Sequence, residues 1–247
     1  MKFLKLKNEK YTTKLKSIPH NFAVAHDDEK SESTLTIYGV IGDSWWGDST
    51  SASDVDYALR EAGNNDLVIH LNSPGGDAFD GVAIYNRLKK HPGKITVHVD
   101  GWACSAASII AMAADELIMG YGAMIMIHEA SIIVWGTKRD LRKQADVMEK
   151  LESGIIDIYM TKANVDREEM TTMVDEEKWF SAKEALDIGF ATAVASEPEK
   201  DIENVDDALI NSLQNQIAAM QNEITQLKNT QTEDPAPVKR NRVVRVF

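Results

Sequence analysis

Between residues 31 and 196 the spacing of apolar positions switches repeatedly between a period of two and a period near 3.6. "STLTIYGVIG" (33–42) alternates and is rich in β-branched residues, so it reads as a strand. "SASDVDYALREAG" (51–63) opens on Ser and Asp and closes on Gly, as a capped helix does. "DLVIHLNSPGG" (66–76) is a short apolar strand running into a glycine turn. "AFDGVAIYNRLKKHPG" (78–93) is an amphipathic helix ended by Pro and Gly. "KITVHVDG" (94–101) is a further strand, "CSAASIIAMAADE" (104–116) a helix, and "ELIMGYGAMIMIHEA" (116–130) holds two short strands. A charged helical segment runs from about Thr137 to Asn164, and "SAKEALDIGFATAV" (181–194) gives a helix ended at Gly189 and a last strand. Strand and helix alternate, and the strands look too apolar to face water. The pattern predicts an α/β domain with a largely parallel sheet covered by helices.

The flanks differ. Residues 1–30 are polar and mixed, an arm or an edge element, which sets the α/β domain at 31–196. Beyond it, 197–247 begins as an acidic linker, "EPEKDIENVDD". Ile210, Leu213, Ile217, Met220, Ile224 and Leu227 then recur at steps of 3, 4, 3, 4 and 3, a short heptad seam. This predicts a C-terminal helical appendage, either a coiled coil or a helix packed back on the domain. The basic end "VKRNRVVRVF" reads as a flexible tail or docking peptide.

Composition narrows the classes. A net charge of −12 argues against a protein that binds nucleic acid through its whole surface. One cysteine excludes an internal disulfide framework and a multi-cysteine zinc site, and fits a reducing cytoplasm. No uninterrupted apolar run reaches roughly 18 residues, so no membrane partner is expected. No metal, nucleotide or other cofactor motif is visible.

Several positions could carry chemistry. Ser105 stands where a strand turns into a helix, where free N–H groups favour a developing oxyanion; a helix cap or a small packing residue would use the same position. Ser108, deeper in that helix, reads as packing only. Gly75 and Gly76 can bring backbone amides close to a ligand or simply make a βα turn. Among six histidines, His20, His26 and His91 fall in arm or turn positions, and His70 and His98 in strands as buried structural groups. His128 ends an apolar strand, where α/β folds present functional side chains, although a structural role is also open. Cys104 is a rival nucleophile, because a thiol at a helix start can have a lowered pKa.

Together, "LNSPGGDAFDG", "DGWACSAAS", "MIMIHEA" and "WFSAKEALDIGF", in that order, resemble the ClpP family of serine peptidases over roughly residues 35–195, and especially the ClpP-related head-maturation (prohead) proteases of tailed bacteriophages. The resemblance implies the ClpP/crotonase-like fold of stacked βαβ units and a serine endopeptidase. Matched motif to motif, Ser105 is the nucleophile, His128 the general base, and Gly76 and Ala106 give the oxyanion-hole N–H groups. The family's acid position falls on Glu177, where the family has Asp, with Asp175 and Glu176 just upstream. The segment near 137–163 corresponds to the handle through which rings stack, so a homo-oligomeric ring is implied; packing of its apolar residues on their own domain is the alternative. The phage resemblance implies protein substrates such as scaffold or major capsid protein, and a location in the host cytoplasm extending to the procapsid. The alternatives are a housekeeping ClpP-type subunit working with an unfoldase, a crotonase-fold acyl-CoA enzyme, and a non-catalytic scaffold-like protein.

Overall fold

The computed structural model describes residues 19–42 and 48–195. The heptad seam and the basic tail lie outside the described residues. So does most of the N-terminal arm, but Asn21–Asp27 form strand β1, so this part takes the edge-element alternative. It pairs antiparallel with β2 (Glu32–Tyr38). Next come the short parallel pair β3 (Val40–Ile41) and β4 (Ser49–Thr50), helix α1 (Ala52–Ala62), β5 (Asp66–Ser73) and α2 (Ala78–Leu88). Strand β6 (Ile95–Cys104) leads into the short α3 (Ala106–Ala111), followed by β7 (Glu116–Met119) and β8 (Met124–Ile127). The chain closes with α4 (Lys138–Tyr159), α5 (Arg167–Asp175), β9 (Lys178–Ser181), α6 (Ala182–Asp187) and β10 (Ala193–Val194).

The main sheet runs β1-β2-β5-β6-β7-β10, parallel apart from β1. Strand β6 is long enough to serve two neighbours. Its first half pairs with β7 through Thr96–Val99, and its last residues, Trp102–Cys104, pair with β8. Between the two halves the register with β5 shifts, and the Trp102 N–H donates to the Asn72 side-chain oxygen at 3.2 Å. The pairing of β6 with β8, and of β8 antiparallel with β9, carries the sheet past its main edge. At that extension β6 ends and Ser105 begins.

Helix starts follow sequence chemistry. Ser51, Thr137 and Ser181 each form a reciprocal capping box with an acid three residues on, Asp54, Asp140 and Glu184. Asp77 caps α2 by accepting from the Phe79 and Asp80 N–H groups. The core gathers one face of the strands, Leu35, Ile37, Leu67, Ile69, Leu71, Val97 and Val99, with apolar residues of α1, α2 and α3.

Among the described residues the other face of the sheet is only half-buried, which differs from the expected covering. Its residues alternate out of the core: Thr34, Thr36 and Tyr38 on β2, His70 and Asn72 on β5, Thr96 and His98 on β6 are all only half-buried. His70 and His98 are therefore not core histidines. Their rings stack at 5.3 Å, and His70 Nδ1 lies 2.9 Å from Asp100. Burial, then the neighbouring His70, pushes the His98 pKa down.

Helix α4 divides the handle question in two. Leu141 and Val147 in its first part are exposed, whereas Ile155, Ile156, Ile158 and Tyr159 at its end are buried in the core. None of the described helices is long and apolar enough to cross a membrane.

The turn after β5 is the tightest point of the fold. Gly76 has φ +155 and bridges Ile41, with the Asp77 N–H donating to the Ile41 carbonyl at 2.9 Å. A Cβ at Gly76 would stand 2.0 Å from that carbonyl oxygen. Gly76→Ala is therefore expected to cost about 2 kcal/mol or more, through backbone strain plus the clash. Thermal unfolding should show a midpoint lowered by roughly 5 °C or more; an unchanged midpoint would mean that the bridge to Ile41 does not constrain the turn.

Candidate active site

Ser105 is the residue between strand β6 and helix α3, with φ +53 and ψ −122. Such a conformation is uncommon without glycine, and for a serine it is a strained elbow that exposes the side chain at the end of the strand. Backbone bonds hold both its N–H and its carbonyl. The Ser105 N–H donates to the Met126 carbonyl on β8 at 2.9 Å, and the Ser105 carbonyl accepts from the Ser108 N–H at 2.9 Å. The alternative of a helix cap fails, since the Ser105 hydroxyl makes no capping bond.

That hydroxyl instead meets His128, whose Nε2 lies 2.9 Å from Ser105 Oγ. His128 follows directly on β8, so the same β6–β8 pairing that fixes the Ser105 backbone also brings the imidazole within reach. With Nε2 accepting the hydroxyl proton, the ring proton sits on Nδ1, and a group accepting from Nδ1 would fix that tautomer.

Strand β9 supplies a candidate. Its register against β8 pairs Met126 with Trp179 and Ile127 with Lys178. Glu177 and His128 are the residues that follow this last pair on the two strands. Glu177 also has a positive φ, +54, one of three such non-glycine residues among those described, the others being Ser31 and Ser105. Its carboxylate accepts from the Trp179 indole N–H at 3.2 Å, and among the described residues no hydrogen bond joins His128 to a carboxylate. The two neighbouring acids are placed elsewhere. Glu176 is the exposed C-cap of α5, and Asp175 shares a cluster with Glu129 and Glu152, their carboxylate oxygens within 4.8 Å of one another. Burial, then the charges of Glu129 and Asp175, raises the Glu152 pKa. Among the described residues this is the one group of three acids close enough to share a cation.

Gly75 lies against Ser105, and Gly76 against Ile41. The Gly75 N–H donates to the buried Ser73 hydroxyl at 3.0 Å, and a Cβ on Gly75 would come within 2.7 Å of Ser105 Cβ and 3.0 Å of the Ala106 nitrogen. The Ala106 N–H, first in its helix, has no acceptor within that helix. Gly75 is thus the glycine against Ser105 and the Ala106 nitrogen, whereas Gly76, the expected oxyanion donor, packs on Ile41.

Cys104 is ruled out as the nucleophile. Its side chain is 1% exposed, and burial, reinforced by the Glu177 charge, pushes the thiol pKa up to about 12. Cys104, like Ala103 before it, is buried at the end of β6, whereas Ser105 at the turn is half-buried. A contact that sequence reasoning missed involves Tyr159: its hydroxyl lies 2.8 Å from Ser108 Oγ, across 51 positions, and no local motif signals it.

A family profile described as Clp protease matches residues 50–198. The chain belongs to the Clp protease family. Among its relatives, the ATP-dependent Clp protease proteolytic subunit 3 of Rhodococcus jostii is 30% identical over 133 residues, 53% of this chain and 66% of that protein. The proteolytic subunit 1 of Protochlamydia amoebophila is 30% identical over 162 residues, 62% of this chain and 78% of that protein. The chain is similar in fold to a solved structure of a ClpP1 point mutant from Listeria monocytogenes, with a TM-score of 0.58 and 23% identity, covering 67% of this chain and 92% of that one. The ClpP-like α/β fold is thereby established.

A fluorophosphonate should modify Ser105 and leave Cys104 untouched. Peptide mapping by mass spectrometry is expected to lose the adduct in Ser105→Ala and keep it in Cys104→Ala; the reverse pattern would overturn the assignment of the nucleophile.

Proposed function

We propose that this chain is a Clp-family serine endopeptidase that processes procapsid proteins, with Ser105, His128 and Glu177 as its catalytic residues. The observation that carries the enzymatic part is the 2.9 Å contact between His128 Nε2 and the hydroxyl of a Ser105 held at a strained elbow. Ser105 Oγ attacks the scissile carbonyl while His128 takes its proton, and the oxyanion forms beside the Ala106 and Gly76 N–H groups. His128 then protonates the leaving amine as the C–N bond breaks, giving an acyl-Ser105 intermediate. Water, deprotonated by His128, attacks that ester; the proton returns to Ser105 as the acid product leaves. No step calls on a cofactor. The acid role goes to Glu177 by the motif match anchored on Trp179 and Ser181; that it adjoins the end of the β8–β9 ladder beside His128, whereas Asp175 and Glu176 belong to α5 and its cap, supports this.

The procapsid assignment is supported by the motif resemblance to phage head-maturation proteases and by the stretch after the family match. That match stops at residue 198, and the chain continues to 247 with a heptad seam and a basic tail. A docking segment of this kind suits a protease that is carried to one assembly. The exposed Leu141 and Val147 on α4 suit contact with further copies in a ring. The housekeeping reading has an observation of its own, the names of the relatives, which are subunits of ATP-dependent Clp proteases. The acyl-CoA reading is set aside by the Clp family membership, and the non-catalytic reading by the Ser–His pair. Co-expression with tailed-phage scaffold and major capsid proteins separates the remaining two. Cleavage without any unfoldase supports procapsid processing, and degradation of a folded reporter only with an ATP-dependent unfoldase supports the housekeeping role.

Within either setting the acid is testable. Glu177→Gln should lower peptide turnover by roughly two to four orders of magnitude. Glu177→Asp should stay partly active, and Asp175→Asn and Glu176→Gln should change turnover by less than about threefold, as surface charges do. Steady-state kinetics at matched stability reads the comparison: a crippled Asp175→Asn would move the acid to Asp175, and three active neutralised variants would mean a Ser–His dyad.

A further inference from the structure

We propose that Ser108 and Tyr159 are positioning residues that clamp the peptide unit between Ser105 and Ala106 and so aim the Ala106 N–H at the oxyanion. The proposal rests on the serine-peptidase reading of Ser105 and His128. Ser108 is fully buried in α3, between alanines at 106, 107 and 111, where an alanine would fill the space without a polar atom to satisfy. Its hydroxyl is committed twice. Ser108 Oγ donates to the Ser105 carbonyl at 2.6 Å and lies 2.8 Å from the hydroxyl of Tyr159. Because the single Ser108 proton goes to the carbonyl, which can only accept, Tyr159 must donate to Ser108. The result is a directed chain, from the Tyr159 hydroxyl to the Ser108 hydroxyl to the Ser105 carbonyl, in which each bond polarises the next.

The receiving carbonyl matters because of the group across its amide plane. The Ser105 C=O and the Ala106 N–H belong to one planar trans peptide and point in opposite directions. The carbonyl takes three donors, the Ser108 hydroxyl and the N–H groups of Ser108 at 2.9 Å and Ile109 at 3.3 Å. Fixing it on that side fixes the Ala106 N–H on the other. Ser105 needs such restraint, since φ +53 is not a conformation that serine holds unaided. Tyr159 is 1% exposed and is the last residue of α4, so the chain also ties the nucleophile's peptide to the buried end of the helix whose first part stands in solvent.

The experiment compares wild type, Ser108→Ala, Tyr159→Phe and the double variant as full chains, with active sites counted by fluorophosphonate titration. Per titrated site, Ser108→Ala is expected to lower kcat on a short peptide by about tenfold, with KM within about twofold. It should also weaken a peptide boronate, whose tetrahedral adduct needs the oxyanion donors, by about the same factor. Tyr159→Phe keeps the ring and the Ser108 bond, so a loss of about threefold is expected, and adding it to Ser108→Ala should cost little more. A merely structural role would lower the unfolding midpoint or the titrated fraction, leaving kcat per site and boronate affinity at wild-type values; that result overturns the clamp. If Ser108→Ala does not fold, Tyr159→Phe decides by the same two readouts. A wild-type chain that takes no probe on Ser105 overturns the peptidase reading and the clamp together, whereas a labelled wild type with unaffected variants overturns the clamp alone.

Discussion

The hydrogen bond from the Ser105 N–H to the Met126 carbonyl is the constraint on which the site depends. It continues the β6–β8 ladder one residue beyond the end of β6, to a residue already turned to positive φ. Without it the elbow could relax toward ordinary strand or helix geometry, and the serine side chain would leave the end of the sheet. The same ladder ends β8 at Ile127, so His128 emerges beside Ser105 without needing a placement of its own. Ser105 and His128 are thus positioned by one strand pairing, and that pairing is possible because β6, at ten residues, outlasts its partner β7.

Strain is concentrated at this end of the molecule. Ser105 and Glu177 account for two of the three non-glycine residues with positive φ among those described. The glycine turn at 75–76 has no room for a side chain against Ser105 or Ile41. Each such position costs of order 1–3 kcal/mol and persists only where the surroundings over-determine it. Here the surroundings are the buried α3, the Ser73 hydroxyl under the Gly75 N–H and the β8–β9 ladder. The geometry needed for chemistry is held by packing and backbone bonding outside the reacting groups.

Much of this is legible in the chain. Period-two and period-3.6 patterns mark β2, β5, β6 and helices α1 to α4, and the strand-to-helix switch marks Ser105. What escapes detection depends on non-local pairing. Residues 167–181 combine an acidic run with "KWFS", which carries no strand alternation, so nothing local marks α5 and β9; β9 exists because β8 offers it an edge. The half-buried sheet face is hidden because Val68, His70 and His98 sit among apolar neighbours, and the alternation shows only once the strands are aligned. Ser108 reads as a packing residue because its partner, Tyr159, lies 51 positions away.

Side-chain parity then sorts neighbours into different roles. Cys104 faces the core with its thiol held protonated, while Ser105 faces His128. One residue past His128, Glu129 turns to Glu152 and Asp175. Two residues beyond Asp175, Glu177 follows the last pair of the β8–β9 ladder, as His128 does on the other strand, and its carboxylate accepts from the Trp179 indole. A strand end offers successive side chains to opposite faces, so a slip of one residue exchanges an exposed group for a buried one. This is why three consecutive acids, Asp175, Glu176 and Glu177, are not equivalent despite their shared charge. Helix α5 fixes the first, its C-terminus the second, and the third adjoins the end of the ladder from which His128 emerges.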